Sequence, residues 1–242
     1  MSVAGLRTFL LQPLEDYLAA LETTLRRPLL LVVVILAFIA SWLIYVPLHE
    51  LAHAFGCVAA GGNVSRLEIG PWYGGIWLQQ LFPFVVPESA YAGRLSGFDT
   101  HGSDLTYLAT DAAPFLLTVV LGVPLLRSVR QRSGRAGISE SIKFGAALPF
   151  AFAPFISLTG DYYEMGSILI SRLAVRLLPG LSLERWRSDD IFRLAAELSR
   201  GPEGLRMADV AGLAGGFLVG CSLAWATYGL GALCSRVLRR GH

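Results

Sequence analysis

Residues 29–53 read LLLVVVILAFIASWLIYVPLHELAH. The first twenty of them, 29–48, carry no charge. At a helical rise of about 1.5 Å per residue, that run matches a hydrocarbon core about 30 Å thick. It predicts a membrane-spanning helix, with Arg26 and Arg27 as anchors at its start. The polar residues come at its far end, as His49-Glu50-Leu51-Ala52-His53, after which apolar character resumes as far as Ala60. Pro47 is expected to bend the helix or to begin a new segment just before His49.

The whole chain agrees with that stretch. Of its 242 residues 54% are hydrophobic and 16% charged, where a soluble domain carries about a quarter charged residues. The deficit is concentrated in a few long apolar runs, which points to a bilayer as partner. The formal charge of +2, with nineteen of the twenty basic residues arginine, argues against nucleic acid as a partner and against a lysine-rich tail. Cys57, Cys221 and Cys234 form no Cys-x-x-Cys pair and read as small buried hydrophobes. The apolar run after Arg7 stops at Gln12-Pro13, so no cleavable signal peptide is expected.

Residues 14–27 predict an amphipathic helix with Pro13 at its first position and Leu14, Leu18, Leu21 and Leu25 on one face. Residues 61–104 are dense in glycine, proline and aromatics. There Val64, Leu67 and Ile69 alternate as a short strand, and Ile76 to Leu81 is expected to return as its partner across the turn at Pro71 to Gly75. A second span is expected over 105–126, interrupted by Asp111 and Pro114, and a third over 144–160, containing Pro149 and Pro154. The third leads straight into Asp161-Tyr162-Tyr163-Glu164. Residues 172–209 are mixed in charge and predict an amphipathic helix outside the bilayer. A fourth span is expected over 210–235, where Gly212, Gly216 and Gly220 give one smooth face for a close neighbour. The loop with Arg127, Arg130, Arg132, Arg135 and Lys143 marks a cytoplasmic side, but the seven arginines of 172–209 would then lie outside, so orientation stays open.

His49 and His53 lie one turn apart on one helical face, so both imidazoles can reach a single ion. Glu50 is displaced around the axis, toward a water held at that ion, whose proton it can take. Ionisable groups at the end of an uncharged span are costly, by roughly 2.5–3.5 kcal/mol for a charge at a helix centre, which makes them functional candidates. A catalytic zinc takes three protein ligands and keeps one open position. Asp161 and Asp111 both sit at membrane depth, and burial does not choose between them. Glu164, one turn from Asp161, and the loop residue His101 are further candidates.

These motifs resemble the site-2 protease family of intramembrane zinc metalloproteases. His49 to His53 match the family's His-Glu-x-x-His completely, and Gly61-Gly62-Asn63-Val64 with Ile69-Gly70 are similar to the segment that follows it. Asp111-Ala112-Ala113-Pro114 is similar to a small-residue and proline element of the middle span, and Thr159-Gly160-Asp161 resembles the family's later Asp-Gly motif. The resemblance covers roughly residues 30–175. It implies that Asp161 is the third zinc ligand beside His49 and His53, with Glu50 as general base. Tyr162 stands where the family has glycine, and no asparagine precedes Asp161 in the usual place.

The expected architecture is an all-α integral membrane bundle of about four transmembrane helices, with a small membrane-associated β element after the first. Its divisions are an amphipathic helix over 1–27, a metalloprotease-like core over 28–175 including the β element at 61–104, a polar segment over 176–209, and a C-terminal helix with a basic tail over 210–242. The resemblance implies hydrolysis of a peptide bond in a membrane-embedded or membrane-anchored protein, within a multi-pass protein of a bacterial cell membrane. Two rivals remain: a catalytically silent relative that binds a partner helix, and a zinc-sensing or transport protein with the histidines as a transient site.

Overall fold

The structure, a computed structural model, describes residues 3–25, 28–130, 137–177, 180–202 and 204–240. Arg26, Arg27, Arg132 and Arg135, read as anchors and topology markers, lie outside the described residues. The chain is mostly helical, and among the described residues four helical segments are long and apolar enough to cross a membrane: Pro28–Ala59, Asp104–Val129, Ile138–Thr159 and Met207–Arg239.

Helix α1, Val3–Leu25, starts earlier than expected and runs through Pro13. Leu14 and Leu18 are exposed, while Asp16 and Ala20 are buried against the bundle. The reason is a partner: Asp16 meets Arg127 at 3.6 Å and accepts a hydrogen bond from the Tyr228 hydroxyl at 3.1 Å. Helix α2, Pro28–Ala59, is unbroken across Pro47, so no new segment begins there.

After α2 the chain forms β1, Asn63–Ile69. The expected return strand is instead helix α3, Gly75–Leu81. Gly74, at φ 81°, turns the chain into it. Leu78 and Phe82, four residues apart, then pack on the core formed by Leu51, Leu67, Ile69 and Val85, a helical rather than an alternating pattern. The true partners of β1 come later. β2, Val85–Val86, pairs parallel to it, and β3, Gly93–Asp99, antiparallel from Asn63↔Asp99 to Ile69↔Gly93. The strand order β2-β1-β3 leaves β3 at the edge of the sheet.

The second span is not a regular helix. α4, Asp104–Ala112, tightens into a 3₁₀ turn at Ala113–Phe115, where Pro114 removes a backbone donor. A π turn at Thr118–Gly122 then leads into α5, Val123–Arg130. α6, Ile138–Ile156, packs along α2, with Gly145 against the Val34 carbonyl, where a Cβ would collide. α7, Asp161–Leu177, runs past the expected boundary at 175. Among the described residues of the segment read as one amphipathic helix, α8, Ile191–Arg200, is the one separate helix. The preceding residues 180–190 are held by side chains: Arg187 pairs with Asp104 at 2.7 Å, and Arg94 with Asp189 at 3.3 Å.

The last helix, α9, Met207–Arg240, has Asp209 in its first turn. The Asp209 carboxylate accepts from the Arg206 backbone N–H at 3.1 Å, from Arg185 at 2.6 Å and from the Trp186 indole at 3.1 Å. Gly216 and Gly220 press against the α7 backbone at Tyr162 to Ser167, while Gly212 receives the Trp186 ring. The smooth face thus serves two neighbours rather than one. Cys57 is buried, and Cys221 and Cys234 are half-buried free thiols.

Candidate metal centre

Three helices converge on His49 and His53. α2 carries both histidines and Glu50. α4 crosses α2 at Gly56, where an added Cβ would meet the Ala109 carbonyl at 2.8 Å and would also strike the Ala113 side chain. That close approach brings the Thr110 carbonyl to the His53 ring: Nδ1 donates to it at 2.9 Å. A carbonyl can only accept, so the proton is on Nδ1 and the lone pair of Nε2 is free to face the site. The His49 ring is set from its own helix, with Tyr45 one turn earlier and its hydroxyl 2.7 Å from Nδ1. Phe115 packs edge-on against the same ring, with centroids 5.7 Å apart. Partners on the far nitrogen are what orient a histidine for metal.

α7 begins with Asp161, so its carboxylate stands at the helix end facing α2. The two Nε2 atoms are 3.1 Å apart. Asp161 Oδ2 lies 3.4 Å from His49 Nε2 and 3.9 Å from His53 Nε2. The circle through these three atoms has a radius of about 2.0 Å, the ordinary distance of zinc from imidazole nitrogen or carboxylate oxygen, about 2.0–2.2 Å. The donor set of two neutral imidazoles and one carboxylate suits a borderline ion such as zinc. Both histidines are buried and Asp161 is partly buried, and the group can hold a metal ion.

Tyr162, which stands where the resembled motif has glycine, does not draw Asp161 away. Its ring is buried against Phe115, with centroids 4.3 Å apart, and its hydroxyl donates to Thr227 at 2.8 Å. Glu50 faces the first residue of β3: a Cβ on Gly93 would lie 3.0 Å from the Glu50 carboxyl carbon. Glycine there leaves room for the acid between helix and sheet.

The other candidate ligands are placed differently. Asp111 is buried near the group but is not part of it. Glu164 accepts a hydrogen bond from the Tyr107 hydroxyl at 2.6 Å. His101 is on the surface, 3.1 Å from Asp99 and 3.1 Å from the Asn63 amide. All of His49, Glu50, His53, Asp111, Asp161 and Glu164 line one open cavity of about 610 Å³. Its rim includes Tyr91, Gly93 to Ser96 and Phe98 from the β3 side, and Arg187 to Asp190 and Arg193 from the polar segment.

Sequence reasoning missed Tyr45, Thr110 and this rim. Tyr45 had a readable signal, its four-residue spacing from His49. Thr110 contributes a backbone carbonyl, which no side-chain pattern announces. Comparison of the chain with family models, with curated proteins and with solved structures gives no match.

Proposed function

We propose that the protein is a multi-pass membrane zinc metallopeptidase of the site-2 protease type, which hydrolyses a peptide bond in a membrane-embedded or membrane-anchored protein. The observation that carries this reading is the convergence of His49 Nε2, His53 Nε2 and Asp161 Oδ2 on one point, with Glu50 on the adjoining turn.

Insertion in a bilayer is supported by α2. Its 32 residues reach about 48 Å as a helix. Leu29, Val32, Ile35, Leu36, Ile39 and Ile44 are exposed along it, far more apolar surface than a water-soluble helix leaves open.

When bound at this group, zinc would polarise the scissile carbonyl and bring the pKa of a coordinated water from 15.7 down to about 7. His49, His53 and Asp161 are the residues that would hold it. Tyr45 and the Thr110 carbonyl fix the two rings. Glu50 takes a proton from the attacking water and passes it to the leaving amine, a role that contributes about 10²–10⁴-fold. An extended peptide can lie along β3, the edge strand whose Gly93 to Ser96 line the cavity.

The test is cleavage of single-span peptides in detergent micelles by the wild type and by Glu50→Gln, with metal content measured for both. Equal zinc and a loss of at least about 10²-fold in Glu50→Gln is the expected result. Cleavage retained in that variant removes Glu50 from its role. A wild type that holds zinc and cuts nothing points to the silent relative.

A further inference from the structure

The cavity holds acidic groups that its own basic residues do not balance. Asp111 of α4 is 5% exposed and lines the cavity, and its Oδ2 has no hydrogen-bond partner among the described residues. Glu164 of α7 lines the same cavity. Tyr107, one turn before Asp111 on α4, donates to Glu164 and so ties the two helices at this point. The arginines at the rim have acids of their own: Arg187 pairs with Asp104, though its Nε has no hydrogen-bond partner among the described residues, and Arg94 and Arg193 both pair with Asp189.

We propose that Asp111 and Glu164 form a subsite for a cationic side chain, lysine or arginine, of the peptide beside the bond to be cut. This rests on the peptidase reading above and gives it a substrate class. An ammonium or guanidinium supplies both things the pair lacks, a donor for the orphaned oxygen and a positive charge between two carboxylates. The subsite adjoins the reacting centre, because the residue before Asp111 is the one whose carbonyl holds His53. A lone basic residue in an apolar span is a rare mark. A site built to bind one rejects neutral analogues, since binding them leaves its own buried groups unpaired.

Binding can be measured without turnover on Glu50→Gln protein. The probes are N-acetylated single-span Leu/Ala peptides in detergent micelles, carrying one lysine scanned through the span, each with a norleucine counterpart. Acetylation leaves the side chain as the only cation. The expected result is one position where lysine binds at least about tenfold tighter than norleucine. That gap should close when Asp111→Asn or, separately, Glu164→Gln is added. The inference is overturned if no peptide binds, if no position prefers lysine, or if the preference survives both changes. It is also overturned if metal analysis finds a second divalent ion per chain that Asp111→Asn removes, since the pair then belongs to an ion. Wild-type protein with the same peptides separates the two readings. A lysine preference in binding with no cleavage anywhere sinks the peptidase and keeps the subsite, whereas cleavage indifferent to lysine does the reverse.

Discussion

The second apolar segment carries a charged residue with little exposure near each end, and the two have different surroundings. Near its close, Arg127 meets Asp16 of α1 at 3.6 Å and donates to the Ala232 carbonyl of α9 at 3.2 Å, while Tyr228 closes the group on Asp16. That cluster pairs Arg127 with an acid and ties three helices together, although the Arg127 Nε also has no hydrogen-bond partner among the described residues. Near the start of the segment, Asp111 keeps an oxygen without a partner among the described residues, in a cavity lined also by two imidazoles and by Glu50, Asp161 and Glu164. Unsatisfied ionisable groups inside a protein are costly. The first group packs between helices, and the second lines a cavity.

The largest effect should come from the open end. The wild type is expected to bind about one zinc per chain, and the His49→Ala, His53→Ala double variant none, as read by metal analysis of purified protein. Full zinc in the double variant would place the ion elsewhere and collapse the contrast. Helical content by circular dichroism is expected to stay the same, because the closed cluster and the α7–α9 packing do not depend on the metal.

The closed end should respond in stability rather than in metal content. Asp16→Ala leaves Arg127 facing the bundle without its acid, and breaking such a buried pair costs about 3 kcal/mol or more. A clear drop in unfolding midpoint with zinc content unchanged is expected. If zinc is lost as well, the two ends act as one cooperative unit.

An exposed pair sets the lower limit. His101 and Asp99 are 3.1 Å apart with both side chains more than half exposed, and surface pairs contribute about 0–1 kcal/mol. His101→Ala should therefore leave zinc content, cleavage and the unfolding midpoint within error. Loss of zinc in this variant would return His101 to the candidate ligands.

How much of this was legible in the chain differs from element to element. The apolar runs announced four segments because length and missing charge are one-dimensional properties. Pro114 announced the irregular second span for a similarly local reason. The strand at Asn63–Ile69 was readable from alternation, but its partners were not. The residues that pair with it lie 18 to 36 positions further on, and the nearer candidate, Ile76 to Leu81, became a helix because its apolar residues found the core at helical spacing. In α1 the leucine stripe was readable, but the burial of Asp16 was not, because its partner Arg127 lies more than a hundred residues away.

By itself, the sequence determined that His49 and His53 share a face one helical turn apart, that Glu50 stands beside them, and that all three sit at the end of a long apolar run. Those follow from helix geometry and hydropathy, which act between near neighbours. The tertiary structure decided the rest. It selected Asp161 over Asp111, Glu164 and His101 as the ligand facing the imidazoles, placed the Thr110 carbonyl on His53, and left a buried Asp111 oxygen without a hydrogen-bond partner among the described residues. Each of these depends on how closely two helices approach. Small residues such as Gly56 and Gly166 permit that approach, and its outcome is fixed only once the helices pack.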